Sequence, residues 1–186
     1  MNTIETKPDE FIAPKFFPEL QASVDVLIGL PYLFSRVSYG DELTIHFGSE
    51  RKHTHPKLAE KVRGSHVLSV RGSEWMLRSG IKPVIVGCGI APISSDRKPF
   101  NITALESGAF IGQSATVTKA SPIPFLPMNS IGLILDLSDG SSFTIIPTPP
   151  CNGDDDDGPE PSDWELLTAT QWMHVGPGSS IRVDPL

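Results

Sequence analysis

Apolar residues recur at every second position in several short runs of this chain. Leu43, Ile45 and Phe47 alternate with Glu42, Thr44 and His46, and Leu133, Leu135 and Leu137 stand in the same spacing. A period of two sends one set to a core face and the other to the opposite face of a strand. The runs are punctuated by turn residues. Gly40-Asp41 separates Leu33–Tyr39 from Leu43–Gly48, and Asp139-Gly140 separates Ile131–Leu137 from Ser142–Pro147. Asp and Gly supply the positive backbone angles that tight hairpins need. A second pair of strands is predicted in each half. These are Val67–Arg71 with Trp75–Arg78 around Gly72-Ser73, and Trp164–Thr168 with Gln171–Val175.

The two halves resemble each other. Over positions 33–45, a shift of 100 residues gives five identities in thirteen: Leu33/Leu133, Ser38/Ser138, Gly40/Gly140, Thr44/Thr144 and Ile45/Ile145. At a shift of 97, Trp75-Met76 falls on Trp172-Met173. A rare dipeptide recurring in register points to an internal duplication.

The pattern predicts a mainly β, antiparallel protein. Two diverged, meander-like repeats pack as a sandwich or barrel, with one or two short helices. An α+β fold with a larger central helix is the competing arrangement. Residues 1–16 are expected to be loosely ordered, 17–82 form the first repeat, 83–127 a connector, and 128–186 the second repeat with an acidic loop over 148–163. The repeats are expected to form a single compact domain. Pro18–Val24 predicts a short helix with proline in its first turn. In the connector, Val84–Val86 predicts a strand, Asn101 opens a weak helix signal, and Ser121–Pro127 is extended because its prolines forbid helix.

Composition sharpens this. Pro (18) and Gly (16) shorten elements and favour many turns. The apolar stretches Val24–Phe34 and Pro83–Ile93 are broken by Asp, Gly or Pro, well short of the roughly 20 residues a membrane helix takes. Met1–Glu10 is polar and acidic, unlike a secretory signal. With only Cys88 and Cys151, no disulfide framework is expected. These features predict a cytoplasmic protein with free thiols.

Net charge is −7, which disfavours general binding to nucleic acid. It is spread unevenly. Residues 51–98 carry ten Lys/Arg against three Asp/Glu, whereas 120–186 carry ten Asp/Glu against Arg182 alone. The excess concentrates in corresponding loops. Glu50–Arg63 holds Arg51, Lys52, Lys57, Lys61 and Arg63 against Glu50 and Glu60, and the matching loop holds Asp154–Asp157, Glu160 and Asp163 with no basic residue. Loops of opposite sign attract within a chain, between chains, or toward separate partners.

Candidate chemistry is sparse. His53 and His55, with His46 and His66 on flanking strands, form the best zinc candidate, since a hairpin base would gather imidazoles around one ion. The spacing matches no established motif, and solvated loop histidines are the plainer reading. Asp154, Asp155, Asp156 and Asp157 are contiguous, so alternate carboxylates diverge and calcium is disfavoured. They suit a charged contact with a partner instead. Cys88, within Val86-Gly-Cys-Gly-Ile90, lacks the glycine spacing of a nucleophile turn. Gly108–Gly112 lacks the lysine of a phosphate loop. Trp75 and Trp172 are expected to anchor a shared core. Trp164, beside the acidic loop, is expected to be half exposed and is the best single aromatic for a partner contact.

No triad, carboxylate pair or cofactor motif reaches useful specificity. The expectation is a non-enzymatic binding or assembly protein without a cofactor, whose partner is a second copy (a homodimer) or another protein, not nucleic acid or membrane. Two alternatives stay open: an acidic inhibitor or immunity-type protein covering a basic protein, and a metal-dependent enzyme using the histidines.

Overall fold

The alternating runs form strands that close one core. The computed structural model describes residues 3–4, 17–38, 42–52, 61–71, 73–79, 82–87, 111, 114–125, 129–148 and 162–186. Its strands are β1 (Thr3–Ile4), β2 (Tyr32–Val37), β3 (Leu43–Lys52), β4 (Val62–Val70), β5 (Ser73–Ser79), β6 (Lys82–Gly87), β7 (Val117–Phe125), β8 (Ser130–Leu137), β9 (Ser141–Pro147), β10 (Trp164–Leu167), β11 (Gln171–Val175) and β12 (Ile181–Pro185). The helix α1 (Phe17–Asp25) precedes β2. The protein is therefore mainly β, with one short helix among the described residues. None of the described helical residues forms a segment long and apolar enough to cross a membrane.

The strands make two antiparallel sheets. The first has seven strands in the order β1-β12-β11-β10-β4-β3-β2, and the second has five in the order β6-β5-β9-β8-β7. A single cluster of buried side chains draws on both, as in a sandwich. Leu43, Ile45, Phe47, Leu68, Val70, Trp164, Leu166 and Met173 come from the first sheet, and Trp75, Leu77, Leu133, Leu135, Phe143 and Ile145 from the second. Tyr32 bridges them, with its ring centroid 6.3 Å from Phe47 and 6.4 Å from Phe143. The Trp164 indole N–H donates to the Ile131 carbonyl at 2.8 Å, a polar tie across the core. The turn predicted at Asp139-Gly140 is present. Gly140 sits at φ +83°, where a side chain would be strained, and the Asp139 carboxylate accepts the Ser141 N–H.

The expected meanders are not formed. β2, β3 and β4 are neighbours, but β5 leaves for the second sheet and lies between β6 and β9. β8 and β9 pair there, while β10 and β11 return to the first sheet beside β4. Strands matched by the internal similarity therefore do not share equivalent sheet positions. The reason is local: β3 and β10 occupy both edges of β4, so β5 has no edge of β4 to pair with. Two other readings of the connector stand. Val84–Val86 lies within β6, and proline-rich Ser121–Phe125 ends β7, an edge strand where missing N–H groups are tolerated. The helix signal at Asn101 lies outside the described residues.

Candidate functional site: a basic two-stranded arm

β3 and β4 pair beyond the sheet that holds them. β2 follows β3 as far as Phe47, and β10 pairs with β4 only from Val67 onward. Among the described residues, no other strand flanks Ser49–Lys52 or Val62–Ser65. These segments form a two-stranded arm. Among the described residues it carries Arg51, Lys52 and Arg63, with Lys61 just ahead of β4, against Glu50.

The ladder register places Arg51 directly opposite Arg63. Directly opposed residues share a face, and like charges in that position destabilise the pairing. Among the described residues, no ion pair relieves either guanidinium. The ion pairs among the described residues all lie elsewhere, on His174, Glu165, Arg182 and Asp184. The Arg63 Nε is shielded from solvent and has no hydrogen-bond partner. A donor in that state has lost its water without replacement.

The root of the arm is fixed. A register shift between Phe47 and Glu50 re-aims β3, as bulges do. The Ser65 hydroxyl accepts the Ser49 N–H at 3.2 Å and donates to the Phe47 carbonyl at 3.4 Å. The Gly64 N–H donates to His46 Nδ1 at 3.1 Å. A Cβ on Gly64 would sit 2.6 Å from the Phe47 carbonyl oxygen, so only glycine fits this approach. His66, opposite Phe47, is held below the ordinary histidine pKa by burial and, secondarily, by the Arg51 charge.

A second polar cluster lies on the outer face of the first sheet. The Glu165 carboxylate accepts from the Trp172 indole at 3.3 Å and lies 3.3 Å from His174 Nδ1. Arg182 approaches His174 Nε2 at 3.1 Å and binds Asp184 at 3.0 Å through Nε. Because a guanidinium only donates, His174 accepts at Nε2 and donates from Nδ1 toward Glu165. Ser162 Oγ lies 3.4 Å from the same Nδ1 and competes with that carboxylate. Both ring nitrogens are thus engaged by the cluster itself. A general base needs one of them turned toward a reactant. The cluster therefore ties β10, β11 and β12 together.

The sequence-predicted sites fare unevenly. His53, His55, Cys88, Cys151 and Asp154–Asp157 lie outside the described residues. His46 and His66 do not converge. His46 is opposite Val67 and His66 is opposite Phe47, so successive pairs put the two imidazoles on opposite faces of the ladder. Among the described residues, no three His, Cys, Asp or Glu side chains group so as to hold a metal ion. Trp164 is fully buried, not half exposed, because it shares the inward face with Leu166 and its N–H is spent on Ile131. Trp75 is core as expected, whereas Trp172 is 37% exposed on the outer face. The opposed arginines escaped the sequence reading. Counting the hairpin register outward from Phe47 would put Arg51 opposite Val62; the one-residue shift between Phe47 and Glu50, which no sequence signal marks, brings Arg63 opposite it instead. No protein-family model matches this chain, and neither a curated protein nor a solved structure is significantly similar to it.

Proposed function

We propose that this is a non-enzymatic binding and assembly protein that grips a carboxylate-rich protein segment with the β3–β4 arm. The observation that carries this reading is the opposed Arg51/Arg63 pair, unrelieved by any ion pair among the described residues. Two guanidiniums on one face offer paired donors that match carboxylates in geometry as well as charge. A fixed root lowers the ordering cost of binding. The cytoplasm as its compartment rests on the sequence, chiefly on the two widely separated cysteines.

The test is a fluorescence titration with a labelled poly-glutamate peptide. The wild type is expected to bind at low salt and to weaken as salt rises. An Arg51→Thr/Arg63→Thr variant is expected to lose affinity by about tenfold or more, the scale of one or two charge-assisted hydrogen bonds. Equal affinity of variant and wild type at low salt removes the reading.

A further inference from the structure

The shift at the root of the arm places its extra residue on β3, between Phe47 opposite His66 and Glu50 opposite Gly64. Alternation along β4 is therefore unbroken, and Arg63 shares a face with Val67. That face is the outer one, because Leu68 and Val70 take the core. From Val67, register pairs run across the sheet. His46 and then Phe34 lie on one side, Leu167 and then Trp172 on the other. Directly opposed residues share a face, so these five form an apolar and aromatic row crosswise to the strands. Trp172 is its exposed end, and Leu167 beside it is half-buried. The Trp172 N–H is engaged by Glu165, and the ring packs on His174 with centroids 4.5 Å apart. A partner therefore meets ring carbon there, not a donor. The next row, Glu165, His174 and Arg182, is polar and binds itself.

Resting on the binding reading above, we infer that the acidic segment gripped by the arm also carries an aromatic side chain, which docks on Leu167 and Trp172 while its carboxylates meet Arg51 and Arg63. Charge complementarity fixes the acidic part at the arm. The shared face fixes the spacing. Four residue steps along β4 separate Arg63 from Val67, about 13 Å, and Leu167 and Trp172 lie one and two strands to the side, about 5 and about 10 Å. The diagonal is about 14–16 Å, or about four or five residues of extended chain. An aromatic ring suits the far end because it covers apolar area at low ordering cost. The arginines supply attraction, and Trp172 supplies selection among acidic partners.

The experiment titrates the full chain with two peptides at about 0.05 M salt, where screening is weak. One is Phe-Ser-Ser-Ser-Glu-Glu-Glu-Glu-Ser-Ser-Ser-Phe, whose palindrome presents the same spacing in either chain direction. The other has serine in place of both phenylalanines and equal charge. The wild type is expected to bind the phenylalanine peptide about tenfold or more tightly than the serine peptide, the scale of burying one aromatic side chain. A Trp172→Thr variant is expected to lose that preference and to keep its affinity for the serine peptide. Tryptophan emission gives a second readout. Trp75 and Trp164 are fully buried, so a blue shift of the wild type on saturation with the phenylalanine peptide reports Trp172.

Equal wild-type affinity for the two peptides, a phenylalanine preference that survives in Trp172→Thr, or emission that does not move overturns the inference. The wild-type comparison and its emission decide even where the variant does not fold. The serine peptide separates the two proposals. If it binds, and Arg51→Thr/Arg63→Thr abolishes that binding, equal affinities remove the aromatic contact and leave the arm reading standing. Binding of both peptides that is indifferent to the arm substitutions removes the arm reading and the inference with it.

Discussion

His66 is partly buried at the root of the arm, and the neighbouring Arg51 guanidinium adds to the cost of charging it. Its folded pKa is below its unfolded one. Between those values the unfolded chain binds more protons, so stability rises with pH through that window. Acidification below the ordinary value near 6.5 therefore removes stability. Thermal melts across about pH 5 to 8 are expected to show a falling midpoint toward acid, and a flatter profile in His66→Gln. Identical slopes in the two proteins would mean that His66 contributes nothing. The tryptophans show why single residues were harder to read than runs. In Gln171–Val175, Trp172 and Met173 are both apolar, so hydrophobicity alone does not decide the inward phase. Met173 and Val175 take the core. Trp172 stays outside because its ring packs on His174 and its N–H reaches Glu165.

Strands with clean alternation were legible almost to their ends. Ile131–Leu137 and Ser142–Pro147 fall within a residue of β8 and β9, and Gln171–Val175 matches β11. The arm was not legible. β3 runs on to Lys52 and β4 starts at Val62, through residues with no apolar period. Pairing there is inherited from the hairpin, not from burial. That origin has a measurable side. Arg51→Thr removes one of two opposed cations and introduces a β-branched residue suited to a strand. Its urea midpoint is expected to rise, by about 0.2–1 kcal/mol in stability, while peptide affinity falls. A less stable variant would contradict the like-charge reading.

For the whole molecule, the class was readable and the wiring was not. Alternation and turns announce antiparallel β structure, but they do not say which sheet a strand joins. That depends on which edges are already taken, a property of the assembled sheet. At β4 both edges are filled, and β5 crosses over. The result is an exchange between halves: β5 from the first half pairs with β9 of the second, and β10 of the second pairs with β4 of the first. Neither half holds a finished sheet of its own, and Trp75 is buried only where both contribute. A backbone cut between β6 and β7 is therefore expected to leave a nicked chain that stays together. Produced separately, the two fragments should show no cooperative melt, and mixing them should restore one along with the blue-shifted emission of a buried tryptophan. A fragment that melts cooperatively alone would show that half to be self-sufficient. The crossing strands make the protein a natural split pair, whose reassembly reports whether two fused partners have met.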